Sequence, residues 1–273
     1  MFSDNKEVRL VQEESLYALM YFHRLCEEND IRYSIHAGTM LGAVREKGFI
    51  PWDDDIDLTM TREEYKKFEN LISHTILEKY FSFDKSSYVS PRICLHRPGK
   101  PLVWVTIFIY DFINNKKHIQ KIKTKTIGIF YCLLNGHEDH PIEVHGNFIK
   151  STLVGILRRI GKLISKEKLL TNYRNFCENA FIGNREYIQR ANDRYCYQGV
   201  GIILPKIDMD KYQLIDFEDT EVMVSTSYDH ILRTSYGADY MIPVKDNTKS
   251  GLHQGIRNHL DKMERVEERS NRG

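Results

Sequence analysis

Residues 33–60 read YSIHAGTMLGAVREKGFIPWDDDIDLTM. Four carboxylates, Asp53, Asp54, Asp55 and Asp57, fall within five positions of it, in a setting that is otherwise apolar. Aspartate is disfavoured in strands, and like charges repel. Side chains on a strand alternate between faces, so regular pairing puts Asp53, Asp55 and Asp57 together. Asp54, Ile56, Leu58 and Met60 then share the other face, which enters the core after its first residue. Same-face neighbours lie roughly 6.7 Å apart. At an effective dielectric of about 20, each ionised pair repels by roughly 2.5 kcal/mol, and the three together by about 6 kcal/mol. That is comparable to the net stability of a domain. Solvent can screen this cost, proton uptake can relieve it, or a dication can reverse its sign. Oxygen-only ligands select a hard ion, Mg2+ or Mn2+. A solvated acidic turn is the plain alternative, but the surrounding apolar alternation argues for a held site. An EF-hand-like loop does not fit, because the turn glycine and the closing glutamate are both missing.

Upstream, Gly38-Thr39 stands between a short strand, IRYSIHA, and a short helix, MLGAVREKG, closed by Gly48. Glycine lets a phosphate approach the backbone, and a hydroxyl with helix N-terminal amides can hold it. Arg45 could clamp a second phosphate oxygen or form a surface salt bridge. Lys47 reads as solvated. Downstream, Thr61 and Glu64 form a capping box for a helix with Tyr65, Phe68 and Leu71/Ile72 as its buried stripe. Residues 5–29 read as a helix, with Leu16, Leu19, Met20, His23 and Cys26 at helical spacing. KYFSFD, SPRICLHR and PLVWVTIFIYDF read as strands, and 115–192 as mostly helical. GVGIILP and YQLIDFEDTEVMVS return to strand, and YDHILRTSYG is a helix stopped by Gly237. Strands and helices mix without strict alternation, which predicts an α+β fold.

A Gly-Thr turn, a short helix and a strand carrying Asp-x-Asp is the layout of the polymerase-β-like nucleotidyltransferase fold. The run from Tyr33 to Phe68 resembles the LicD family, phosphocholine transferases related to the fukutin-type phosphotransferases. The resemblance rests on Gly38, Thr39, Leu41, Gly42, Arg45, Gly48, Pro51, Trp52, Asp53 to Asp55, Asp57 and Met60. A second match, LIDFEDTEVMVSTSYDHILRTSYGADYM, resembles the family's closing segment. The resemblance implies a nucleotidyltransferase-like mixed sheet with flanking helices and a helical middle segment. The expected parts are a catalytic core at 1–114, a helical insertion at 115–196, completing strands and a helix at 197–245, and a polar tail at 246–273.

It also implies transfer of an alcohol-bearing phosphoryl group, typically phosphocholine from CDP-choline or another CDP-alcohol, to a glycan hydroxyl. Teichoic acid and lipopolysaccharide are candidate acceptors. Asp55 and Asp57 would carry Mg2+ (or Mn2+) with Asp53 assisting, and Gly38 and Thr39 would hold the nucleotide phosphates. Phosphoryl transfer suits this set, since it needs charge neutralisation and in-line positioning more than a covalent partner. One strand departs from the family pattern. Where an aspartate is usual stands Thr106, a poor ligand and no base, while the second acid, Asp111, remains. By alternation Asp111 faces away from Thr106 and would need a bulge to reach the same ion, which favours Asp53 for the missing role. Nucleotidyl transfer with pyrophosphate release, and a degenerate nucleotide-binding protein without turnover, are the competing readings.

Choline is a quaternary ammonium, which aromatic faces bind; Trp52, Tyr110, Tyr236 and Tyr240 are candidates, each also suited to core packing. His137, His140 and His145 could bind zinc, although their spacing with Cys132 is not finger-like. Residues 147–166 form a basic amphipathic helix with Ile149, Leu153, Ile156, Leu157, Ile160, Leu163 and Ile164 as its stripe. Such a helix packs on a core with a solvated rim, or makes peripheral membrane contact, useful for a lipid-linked acceptor.

Composition sets the outer bounds. The 273 residues carry 39 Lys and Arg against 38 Asp and Glu, which argues against a general nucleic-acid binder. Five dispersed cysteines suggest thiols in a reducing compartment. With no apolar leader and no spanning run, the expectation is a cytoplasmic protein, with the inner membrane face open to it.

Overall fold

The computed structural model describes residues 5–85, 90–138, 148–190 and 202–243, with backbone alone at 148–150. It is α+β, with seven α-helices and nine strands among the described residues. The elements fall into two compact units. The first comprises residues 1–85, 91–107 and 208–273, and the second residues 86–90 and 108–207.

The first unit is organised around α1 (Lys6–Glu28), capped by Asn5, whose side chain accepts from the Glu7 and Val8 amides. Its stripe is broader than the sequence pattern suggests: Val8, Val11, Ala18, Leu19, Phe22, Leu25 and Cys26 are all buried. Glu14 is buried too, held by a bidentate contact from Arg97 at 2.8 and 2.6 Å. The strands β1 (Ser34–Ile35), β2 (Ile56–Thr61), β3 (Phe81–Asp84), β4 (Arg92–Leu95) and β5 (Val103–Ile113) belong to a mixed sheet in the order β1-β2-β5-β4-β3. β4 pairs antiparallel with the first half of β5, Arg92 opposite Thr106.

Between β1 and β2 lies α2 (Ala37–Glu46), which begins earlier than the sequence suggests and takes Gly38 and Thr39 into its first turn. After β2, Thr61 caps α3 (Arg62–His74) by accepting from the Glu64 amide at 3.4 Å. The expected capping box is half made, because the Glu64 carboxylate accepts from the Arg32 amide instead. Tyr65, Phe68 and Ile72 form the buried face of α3.

The second unit contains α4 (Lys117–Leu134), α5 (Phe148–Lys162) and α6 (Lys166–Asn179), with the second half of β5, β6 (Tyr187–Arg190) and β7 (Ile203–Pro205). β6 lies where the sequence reads as helix. It pairs antiparallel with β5, Asp111 opposite Gln189. Ile127, Tyr131 and Leu134 of α4 pack on Leu169, Leu170, Tyr173 and Cys177 of α6. Lys123 is fully buried, and its ammonium donates to the carbonyls of Phe112 and Cys177, both at 2.7 Å.

The remaining elements of the first unit are the hairpin β8 (Tyr212–Phe217) with β9 (Thr220–Ser225), and α7 (Tyr228–Tyr236). The hairpin turn grips the loop after α2. Phe217 meets Phe49 edge-on at 4.9 Å, the Glu218 carboxylate accepts from the Phe49 amide at 2.8 Å, and the Glu218 amide donates to the Lys47 carbonyl at 2.8 Å. Gly42 lets that loop close, since a Cβ there would overlap the Gly48 carbonyl. Among the described residues Cys26, Cys94, Cys132 and Cys177 are in no disulfide, and no helix is long and apolar enough to cross a membrane.

Removing the Glu218 carboxylate leaves the part-buried Phe49 amide without its acceptor. Glu218→Ala should lower stability by about 1–3 kcal/mol in chemical denaturation, with an unchanged denaturant slope.

Candidate active site

The acidic segment is held from three sides before any of its carboxylates is considered. Ile50-Pro51-Trp52-Asp53 is a β-turn, closed by the Asp53 amide donating to the Ile50 carbonyl at 2.9 Å, with proline at its favoured second position. The buried amide of Gln12, from α1, donates to the carbonyls of Asp53 at 2.8 Å and Ile50 at 3.3 Å. At the other end, Asp57 is pinned through its backbone. Its amide donates to Thr39 Oγ1 at 2.9 Å, and its carbonyl accepts from the His36 amide at 2.8 Å. The start of β2 is thus fastened to the first turn of α2.

Exposure alternates along the segment as the sequence pattern requires: Asp53, Asp55 and Asp57 are half-buried, Asp54 and Ile56 buried. Strand pairing, however, begins only at Ile56, so Asp53 to Asp55 are irregular backbone. Here the structure corrects the expectation for Asp54. Its carboxylate does not turn away from its neighbours: one oxygen from each of Asp53, Asp54 and Asp55 lies within 4.8 Å of the others. At an effective dielectric of about 20, each ionised pair at that distance repels by roughly 3.5 kcal/mol or more. Asp57 lies outside this group of three.

Gly38 faces the same place. A Cβ on it would overlap Asp53 Oδ2, so the carboxylate occupies the room that any other residue would fill. Next to it Ala37 has φ of 46°, a left-handed conformation that a residue with a Cβ adopts at a cost. The α2 N-terminus is therefore a strained turn pressed against a carboxylate. Its first-turn amides have no carbonyl of their own helix to bond.

The other candidates take varied positions. Arg45 is largely buried; Nε pairs with Glu46 at 2.7 Å and Nη1 donates to the Tyr240 carbonyl at 3.5 Å. Tyr240 in turn donates to Asp229 at 2.7 Å, and burial and that carboxylate push its phenol up to about 12. Trp52 is half-buried, and Tyr236 is exposed at the end of α7. Thr106 is buried on β5 within the first unit. Tyr110 and Asp111 lie on the half of β5 that belongs to the second unit, each 1% exposed, so the Tyr110 ring has no open face. His137 Nε2 sits 2.9 Å from both the Gly161 and Ile164 carbonyls, closing the C-terminus of α5, while His140 and His145 lie outside the described residues.

Residues 30–127 match the family described as LicD/FKTN/FKRP, nucleotidyltransferase domain. These residues belong to the LicD family. The chain is similar to the lipopolysaccharide cholinephosphotransferase LicD of Haemophilus influenzae, 37% identical over 121 residues, covering 38% of this chain and 44% of that protein. It is also similar to an uncharacterized protein of Rickettsia prowazekii, 32% identical over 104 residues, covering 36% of this chain and 39% of the relative. A third relative, from Rickettsia typhi, is 46% identical over 59 residues, covering 21% of this chain and 19% of that protein. Each match spans less than half of the relative. The LicD-family segment contains α2, the acidic segment, Thr106 and Asp111. The hairpin and α7, which brace that segment, lie downstream of it.

Three supporting residues were not legible as such. Gln12 sits in a helical pattern where a polar residue reads as surface. Glu218 was visible only as part of the closing motif, and nothing local marks the φ of Ala37. Ala37→Gly should relieve the left-handed strain and raise stability by up to about 1 kcal/mol, read as a higher midpoint in thermal unfolding.

Proposed function

We propose that this protein transfers phosphocholine, or a related alcohol phosphate, from a CDP-alcohol to a hydroxyl of a lipopolysaccharide-type glycan, releasing CMP. The observation that carries this reading is the trio of carboxylates within 4.8 Å, set beside the Gly38–Thr39 turn in a LicD-family segment. The relative named for lipopolysaccharide cholinephosphotransfer supports the substrate class.

The donor set is all oxygen and strongly anionic, which fits Mg2+ or Mn2+. Asp55 and Asp57 are the proposed ligands, with Asp53 beside them and Asp54 close enough to add a further oxygen. Such an ion would supply charge neutralisation for the donor's phosphates. The fit has a second ground. A phosphate on the Gly38–Thr39 turn would stand against the Asp53 carboxylate, an arrangement that repulsion forbids without a cation between them.

The chain's own groups do the rest. The first-turn amides of α2 and the Thr39 hydroxyl, which keeps its proton to donate while accepting from Asp57, receive the phosphate. The acceptor hydroxyl oxygen attacks the phosphorus that bears the alcohol, the bond from that phosphorus to the CMP oxygen breaks, and the hydroxyl proton passes to the Asp53 carboxylate. Arg45 acts here by fixing α2 to Tyr240 rather than as a clamp, and Trp52 is the aromatic side chain best placed in sequence to meet the alcohol.

A donor screen with CDP-choline, CDP-ethanolamine, CDP-glycerol and CDP-ribitol, with Mg2+ and a lipopolysaccharide acceptor, tests the reading. CMP should appear with at least one donor, and Asp55→Asn and Asp57→Asn should each lower its rate by about a hundredfold or more. The family's description as a nucleotidyltransferase domain favours a second reading, transfer of a nucleotide. Pyrophosphate from a nucleoside triphosphate, with no CMP from any CDP-alcohol, would establish that instead. Donor binding without turnover would mark a degenerate site, which Thr106 makes conceivable. Thr106→Asp should then raise turnover or divalent-ion affinity; a fast wild type that the change leaves unaltered would put position 106 outside the metal shell.

A further inference from the structure

Part of the apolar stripe read over 147–166 faces outward, while Leu157 is half-buried and Ile164 packs against the core of α4 and α6. Leu153 is 55% exposed, Ile156 47%, Ile160 43% and Leu163 86%. Leu153, Ile156 and Ile160 lie on one arc of the helix, and Leu163 follows its last residue, Lys162, in the turn that leaves it. The opposite side carries the packing, with Val154 and Gly161 buried. Arg159 and Lys162 are exposed along the border of the stripe, and Lys168 is exposed in the first turn of α6. α4 repeats the composition on a smaller scale, with Ile122 and Ile129 each 46% exposed next to exposed Lys121 and Lys125. Scattered surface leucines are ordinary, but three apolar residues on one helical arc, continued by a fourth just past its end and bordered by basic residues, are not.

Charge points the same way. The second unit holds sixteen Lys and Arg against eight Asp and Glu, whereas the rest of the chain holds 23 against 30. A chain that is nearly neutral overall thus concentrates its positive charge on the unit that exposes the apolar stripe. α5 has 15 residues, about 22 Å of helix, too short to cross a hydrocarbon core of about 30 Å. Its geometry suits a helix lying in the plane of a bilayer, apolar side chains among the acyl chains and basic side chains at the headgroups.

We infer that α5 is a docking surface for anionic lipid, with Leu153, Ile156, Ile160 and Leu163 inserted and Arg159 and Lys162 at the phosphates. The inference does not rest on the proposed transferase activity. A second copy of the chain would offer the same basic border to itself and repel it, which is why lipid fits better. An acidic bilayer complements both halves of the surface.

Flotation of the full chain with phosphatidylcholine vesicles, with and without phosphatidylglycerol, tests this. The wild type should float with the anionic vesicles at low salt, and not with the neutral ones. Ile156→Glu with Leu163→Glu, and separately Arg159→Glu with Lys162→Glu, should each weaken binding about tenfold or more. All four substituted positions are surface side chains, so circular dichroism and the melting midpoint should stay as in the wild type. No flotation at low salt overturns the inference, as does flotation that both double variants retain. Self-association in sedimentation velocity that Ile156→Glu with Leu163→Glu abolishes, without any vesicle binding, would assign the stripe to a second copy and overturn it equally.

Discussion

Mutual repulsion among Asp53, Asp54 and Asp55 is the constraint from which the rest of the first unit can be understood. Three carboxylates within 4.8 Å would move apart if their backbone allowed it. It does not. A proline turn, the side chain of Gln12 and the fastening of Asp57 to Thr39 and His36 set the path of the chain on both sides of them. Each of these bonds is worth only about 1 kcal/mol net, but they act on backbone groups and leave the carboxylates facing one another. The fold thus keeps an unfavourable arrangement in place, as the cation binding proposed for the site requires.

A second layer supports the first. The hairpin β8–β9 reaches the loop before the acidic turn through Phe217 and Glu218, and Asp229, Tyr240 and Arg45 link α7 and the residues after it to α2. The closing sequence motif is therefore structural in its visible contacts: its Phe-Glu pair holds the entry to the acidic turn, and its Tyr-Asp and later tyrosine hold the helix opposite. This explains how two stretches far apart in the chain can form one pattern, although only the first falls within the LicD-family segment.

The elements themselves were largely readable. Thr61 and Gly237 mark helix ends, and the β-branched run of β5 declares itself. The acidic segment marked itself as the candidate site, because four aspartates among apolar residues have few uses. The failures share a cause: they turn on tertiary contacts that local periodicity does not encode. Alternation put Asp54 on the face away from Asp53 and Asp55, yet the backbone is not a paired strand until Ile56, and its carboxylate joins its neighbours. Periodicity identified the stripe of α5 but not the direction it faces, since an apolar arc suits a core and a bilayer alike. β6 was read as helix because four residues bounded by polar positions carry too little pattern to compete with the helices before them. The role of His137 as a C-terminal cap depends on the carbonyls of Gly161 and Ile164, more than twenty residues away in sequence.

Stability measured against divalent-ion concentration tests the central claim most directly. Thermal unfolding of the wild type and of Asp55→Asn would be followed without divalent ions and with increasing Mn2+. Without the ion, the variant should melt several degrees above the wild type, because one repelling charge is gone. Mn2+ should raise the wild-type midpoint progressively and the variant's much less. A variant that melts at or below the wild type, together with midpoints that Mn2+ leaves unmoved, would contradict the account.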